Sequence, residues 1–269
     1  MEASMEFRPC IDLHNGQVKQ IVGSSLADQN DEAVENFVAA ADAAHYAKLY
    51  QEKGLKGGHI ILLNPESSPY YEQTKAQAVS ALGAYRGGLQ VGGGIHAENA
   101  AFFLEAGASH VIVTSYVFYG GHIHMERLEK LCRTVGREHL VLDLSCRKRG
   151  DAYYIVTDRW QNFTEEKVDS HTLNLLAGFC DEFLIHAVDV EGKNQGIEEA
   201  LLRQLGAWSQ SGEGLSKIPI TYAGGVHSYE DIGLLRTLGG GRIHVTVGSA
   251  LEIFGGSLLL EEVIRRCAE

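Results

Sequence analysis

Apolar residues in this chain gather into eight short, β-branched runs: "CIDL", "GHIILLN", "GLQVGGG", "SHVIVTS", "HLVLDLS", "EFLIHAV", "IPITYAGG" and "IHVTVGS". Each has the length of a strand. Between most of them lie segments with apolar residues at helical spacing, such as "AENAAFFLEAG", where Gly107 supplies the stop. Strands that alternate with helices predict parallel pairing. Eight such units in 269 residues fit an α/β fold of the (βα)8 TIM-barrel kind better than a doubly wound sheet, since such barrels run to about 250 residues as one unit.

The pattern also repeats. Asp12 and Asp143 lie 131 residues apart, as do Gly93 and Gly224, while Ser115 and Ser249 lie 134 apart. Two half-barrels in tandem, approximately 1–135 and 136–269, account for these offsets, and the slip between them falls in the glycine-rich "LGGGRIH". No linker or low-complexity stretch divides the chain, so a single domain over 1–269 is expected. A period this long is half of a closed barrel, not one unit of an open solenoid.

Composition narrows the function. The formal net charge of −12 argues against nucleic acid or an anionic membrane as a partner, because both require clustered Lys and Arg. Any anion must be held locally. The longest apolar run, around "HVIVTSYVF", falls short of the ~20 residues of a membrane span, and the N-terminus has no signal-peptide core, so a soluble protein is expected. Cys10, Cys132, Cys146, Cys180 and Cys267 are odd in number and lack a C-x-x-C pair, which reads as reduced thiols, not a disulfide framework or a zinc site. His14, His96, His186 and His227 fall near strand ends without the spacing of metal ligands, so no metal is expected. Cys146, close to Asp143, reads as packing.

The 31 glycines exceed the usual share of about 7 %. In a barrel, the loops at the C-terminal ends of the strands form the active face, and phosphate commonly sits after strands seven and eight. Gly224 and Gly225 after the seventh run, with Gly248 and Ser249 after the eighth and a short helix at "ALEIFG", make one candidate phosphate site. Gly93 and Gly94 after the third run, with Thr114 and Ser115 after the fourth, make a second by the repeat. An isolated Gly-Gly is more often a mere turn. Two in register, each coupled to a downstream hydroxyl, point to a small-molecule ligand with a phosphate at both ends. Asp12 and Asp143 end their strands at matching positions between the two sites, where paired carboxylates could divide the acid and base roles.

Together "IDLHNGQVKQIV", "QVGGGI", "VLDLSCRK", "FLIHAVDVEG", "YAGGV" and "VTVGSALEIFGG" resemble the phosphoribosylformimino-5-aminoimidazole carboxamide ribotide (ProFAR) isomerases of histidine biosynthesis, their plant and fungal branch above all. The resemblance runs from Phe7 to about Ile264. It implies a (βα)8 barrel with two-fold repetition, usually a monomer. The implied reaction is a cofactor-free Amadori rearrangement of an aminoaldose to an aminoketose (PRFAR), with Asp12 as the base at C2′ and Asp143 as the acid at the ring oxygen. His186 becomes the histidine best placed to touch substrate or orient a loop. Trp160, after "DAYYIVTDRW", is a candidate cover for the ligand's base, against the ordinary role of a lone Trp in packing.

The chain departs from the bacterial pattern at several positions. His96 stands where bacterial members carry Arg, and Ala187 where they carry a Thr whose hydroxyl meets the catalytic carboxylate; Glu191 or Asp189 matches their Asp before Gly. Two alternatives stay open. One is the cyclase subunit of imidazole glycerol phosphate synthase, which has a Lys one position after Lys19, where this chain has Gln20. The other is a phosphosugar-binding barrel without catalysis. A scaffolding role has no feature in its favour. The resemblance places a plant chain in the plastid stroma, in a form processed to remove its transit segment, and a fungal one in the cytosol.

Overall fold

The structure is a computed structural model that describes residues 4–21, 35–158, 160–191, 196–211 and 218–269. All eight apolar runs form strands: β1 (Cys10–His14), β2 (Gly58–Leu62), β3 (Leu89–Gly92), β4 (Val111–Val113), β5 (Leu140–Asp143), β6 (Glu182–His186), β7 (Ile220–Ala223) and β8 (Ile243–Thr246). They lie side by side in chain order and every neighbouring pair is parallel. The ladder does not itself close between β1 and β8. The residues just ahead of β1 span that seam: Phe7 bridges Val245, the Arg8 N–H donates to the Val245 carbonyl at 2.9 Å, and the Val245 N–H donates to the Glu6 carbonyl at 3.0 Å.

Among the described residues eight helices alternate with these strands: α1 (Ala43–Glu52), α2 (Tyr71–Ala84), α3 (Ala100–Ala106), α4 (Met125–Val135), α5 (Ser170–Leu176), α6 (Glu199–Ser209), α7 (Tyr229–Leu238) and α8 (Leu260–Ala268). Local chemistry sets their ends. Ser228 accepts from the Asp231 N–H in a capping box that opens α7, and Gly107, at φ +123°, closes α3. A short 3₁₀ turn, Glu252–Phe254, follows β8 at the place where "ALEIFG" predicts a helix.

Strand alternation sorts the side chains into two cores. Ile11, Leu13, Leu140, Leu142, Phe183 and Ile185 point outward and join the large apolar layer under the helices. Ile61, Ile112, Val141, Leu184 and Ala223 form a separate, small cluster inside the barrel. Because side chains alternate along a strand, the next inward positions after Val141 and Leu184 are Asp143 and His186. Below this apolar layer a polar plug fills the barrel: Arg8 pairs with Glu182, which also accepts from Thr221 Oγ1 at 2.6 Å and Gln90 Nε2 at 2.9 Å.

Among the described residues three antiparallel additions decorate the barrel, the smallest being a hairpin after β4 of Phe118–Tyr119 with His122–Ile123. The strand Gln17–Ile21 folds back along β1 and pairs with Glu35–Val38. After β5, Cys146–Arg149, Ala152–Thr157 and Asn162–Lys167 form a three-stranded sheet, an insertion with Trp160 between its second and third strands. The five cysteines are free thiols, four of them buried and Cys132 partly so. Among the described residues no helix is long and apolar enough to cross a membrane.

Candidate active site

The strands deliver their last inward side chains to one mouth, where two cavities open. The larger, about 330 Å³, is lined by Gly93, Gly94, Thr114, Ser115, Asp143 and Trp160 among others. The smaller, about 40 Å³, is lined by Gly224, Gly225, Gly248 and Ser249. Asp12, His186 and Glu191 line both. Every site residue expected from the sequence therefore borders one cavity or both, and each Gly-Gly/hydroxyl set falls in its own.

The glycines are required by geometry at the repeat. Gly93 sits at φ +96° with any added Cβ 2.0 Å from the Leu62 carbonyl oxygen, and Gly225 at φ +75° with its Cβ 2.0 Å from the Gly196 carbonyl oxygen. Only glycine avoids both the positive-φ strain and the clash.

Around Asp143 the hydrogen bonds converge. Its Oδ1 accepts from Ser145 Oγ at 2.8 Å, lies 3.3 Å from His186 Nδ1, and the carboxylate is also bonded by Thr114. Trp160, held at φ +67° in the turn of the inserted sheet, donates its indole N–H to Ser145 Oγ at 3.1 Å, and its ring lies 6.1 Å from that of His186. Ala187 has no hydroxyl to offer, and Ser145 and Thr114 supply hydroxyls to the carboxylate instead. Ser145 was legible as a candidate only through its spacing, two residues beyond Asp143 and so on the same strand face. Ser115 Oγ accepts from the Asp158 N–H at 3.4 Å, which ties the larger cavity's rim to the inserted sheet.

The structure separates the two acidic candidates of the β6 loop. Asp189 turns outward and accepts from Arg147 Nε and the Lys148 N–H, each at 2.9 Å. Glu191 faces the cavities, and among the described residues its buried Oε2 has no hydrogen-bond partner. Among the four strand-end histidines only His186 lines a cavity. His96 bonds Glu98 and Glu66, and His227 bonds Asp231 at the start of α7; His14 is buried in the wall of β1. Among the described residues no group of three or more His, Cys, Asp and Glu is arranged to hold a metal ion.

Electrostatics split the two aspartates. Burial, reinforced by the nearby Glu191 charge and only partly offset by His186, pushes Asp12 up to about 7. Burial would also raise Asp143, but the charge of His186 and hydrogen bonds from His186, Ser145 and Thr114 outweigh it and hold its carboxyl below the ordinary value. Burial opposes the charged imidazole of His186, yet Asp143 overrides it and raises that ring to about 9. Burial likewise raises Glu191, with His186 opposing. At neutral pH the mouth therefore holds a half-ionised Asp12 beside an ion pair of ionised Asp143 and protonated His186.

The fold and site define a (βα)8 barrel whose mouth joins two glycine-lined cavities at a cluster of carboxylates and one imidazole. The chain belongs to the family described as histidine biosynthesis protein, whose profile it matches over residues 6–257. It is similar to the chloroplastic 1-(5-phosphoribosyl)-5-((5-phosphoribosylamino)methylideneamino)imidazole-4-carboxamide isomerase of Medicago truncatula, at 52 % identity over 268 residues, covering 98 % of this chain and 82 % of that protein. Isomerases of the same name from Neurospora crassa and Saccharomyces cerevisiae are 42 % and 41 % identical, the first over 96 % of both chains and the second over 94 % of both.

Proposed function

We propose that this chain is the ProFAR isomerase, converting the bis-phosphorylated aminoaldose to its aminoketose by acid–base catalysis without a cofactor. One observation carries the reading: two cavities, each bordered by one Gly-Gly/hydroxyl set, meet at Asp12, His186 and Glu191. A ligand with a phosphate in each cavity would lay its central atoms over these groups. The names of the relatives support the same substrate.

The chemistry follows from the charges. The proton held by the Asp143–His186 pair goes to the ring oxygen of the aminoaldose. The C1′–O bond breaks, and the exocyclic nitrogen's lone pair forms the C1′=N⁺ Schiff base. Asp12 then removes the proton from C2′; that electron pair forms C1′=C2′ and the iminium electrons return to nitrogen. Asp12 returns its proton to C1′ and the C2′ hydroxyl proton passes to the Asp143–His186 pair, which gives the ketone and restores both groups. Asp12, with an ionisation near neutrality, suits the base role at pH 7. Trp160, on the wall of the larger cavity, packs against the ligand's imidazole ring in this arrangement.

The test is conversion of ProFAR by the wild-type protein, with Asp12→Asn and Asp143→Asn alongside and substrate binding measured in each. Turnover by wild type and at least ~10²-fold loss in each variant, with binding kept, is the expected result. Binding without turnover refutes the isomerase and leaves the cyclase or a non-catalytic barrel, which ammonia plus the ketose would separate. The monomeric state and a plastid location, the latter supported by the chloroplastic designation of the Medicago relative, belong to the proposal; light scattering and fractionation test them.

A further inference from the structure

We infer that Gln20 is a substrate-binding residue of the smaller cavity, donating its side-chain N–H to an oxygen of the phosphate held there. The inference rests on the phosphate reading of that cavity and adds a residue from a different element, the strand Gln17–Ile21 that folds back along β1. Gln20 is 4 % exposed, lies opposite Phe37 in the outer strand pairing, and lines the cavity with Gly224, Gly248 and Ser249.

Its amide is incompletely satisfied. Among the described residues Nε2 is buried with no hydrogen-bond partner other than the Cys10 thiol beside it. Native interiors keep few such groups, and one that borders a cavity is a donor waiting for a ligand. The other end of the amide marks where that ligand comes. Oε1 lies directly over Gly248, so close that a Cβ added there would stand 2.5 Å from it, and Cys10 Sγ would stand 3.5 Å from the same Cβ. The two orientations of a carboxamide are nearly isosteric. Turned over, Oε1 faces the Cys10 thiol, a weak donor, and Nε2 takes the place over Gly248.

The rest of the cavity explains why a neutral donor would be needed. Among the described residues its lining includes no Lys or Arg, while Asp12 and Glu191 both face it. Lys19, the cation next in sequence, pairs with Glu35. In this arrangement main-chain N–H groups, hydroxyls and the carboxamide of Gln20 hold the phosphate. Such a set neutralises no charge, but it aims donors at an oxyanion without adding a cation that would pull the Asp12 carboxyl back down from its raised value.

The experiment compares wild type with Gln20→Leu, Gln20→Glu and Gln20→Lys. Inorganic phosphate binding is measured by calorimetry, KM and kcat with ProFAR, and folding by circular dichroism and thermal melts. Phosphate held in the larger cavity does not meet Gln20 and serves as the internal reference. The expected result is that one phosphate step weakens roughly 10-fold or more in Gln20→Leu, weakens further in Gln20→Glu, and recovers in Gln20→Lys, with KM rising more than kcat falls. Two results overturn the inference. One is unchanged phosphate binding in a folded Gln20→Leu. The other is equal losses in the Leu, Glu and Lys variants, which would make Gln20 a packing residue. Wild type that binds phosphate at this residue but fails to isomerise ProFAR refutes the proposed function and leaves the role of Gln20 standing.

Discussion

Asp12→Asn should abolish activity and make the protein more stable. Asparagine matches the size of the protonated carboxyl and cannot ionise. In the folded protein burial and Glu191 raise Asp12 from 3.8 to about 7, so its proton is bound more tightly in the folded than in the unfolded chain. A raised carboxyl is the reverse of the usual stabilising case: below about pH 4 both states are protonated and no penalty exists, the penalty grows between pH 4 and 7, and above pH 7 it is constant. At about 1.4 kcal/mol per pKa unit, ionised Asp12 costs the folded state about 4 kcal/mol at pH 8 and about 2 kcal/mol at pH 5. Groups common to both proteins cancel in the comparison. The difference between pH 8 and pH 5 corresponds to about 4–8 °C in Tm for a chain of this size. The assay is a pair of denaturation curves, wild type and Asp12→Asn, at pH 5, 6.5 and 8. A stability gain that does not grow with pH would refute the reasoning, because the strained carboxylate would then not exist.

Four further outcomes follow from named contacts. With Asp12 as the base, kcat/KM for ProFAR rises with pH through about 7, as a pH–rate profile would show. His186→Asn removes a group raised from 6.5 to about 9; the stability it supplies, about 3 kcal/mol, is fully present below pH 6.5 and lost as pH climbs through 9, so the variant's deficit in urea should be large at pH 6 and vanish near pH 10. Gly94→Ala, at φ +70° with open space around it, should cost about 1–2 kcal/mol, whereas Gly225→Ala, whose Cβ meets a carbonyl oxygen at 2.0 Å, should cost clearly more and distort the smaller cavity; thermal melts separate the two. Glu182→Ala strands the buried Arg8 and the amide of Gln90 in the barrel floor and should cost about 3–5 kcal/mol in chemical denaturation.

Much of this protein is written locally. Eight apolar runs of strand length, separated by helical spacing, are a statement about parallel pairing that needs no coordinates, and all eight are strands. The repeat carried the site as well. Matched offsets between Asp12 and Asp143 and between the two Gly-Gly turns place these residues at equivalent strand ends, and a barrel brings equivalent strand ends to one mouth. His186 stood out from His14, His96 and His227 only through the family pattern; spacing alone treats the four alike.

Other features depend on groups distant in sequence. Whether Asp189 or Glu191 faces the site depends on Arg147 and Lys148, about forty positions earlier, which hold Asp189 outward. The replacement of the missing hydroxyl at Ala187 by Ser145 and Thr114 draws on strands β4 and β5. The polar floor beneath the apolar layer joins Arg8, Gln90, Glu182 and Thr221, residues that read singly as unremarkable polar positions. The opposite ionisation of Asp12 and Asp143 is decided in the same way: two aspartates in matching sequence contexts differ because one faces Glu191 and the other a histidine and two hydroxyls. Periodicity and glycine chemistry act within a few residues of chain and are therefore legible in sequence. Pairing, burial and charge act through space, and the barrel decides which charges meet.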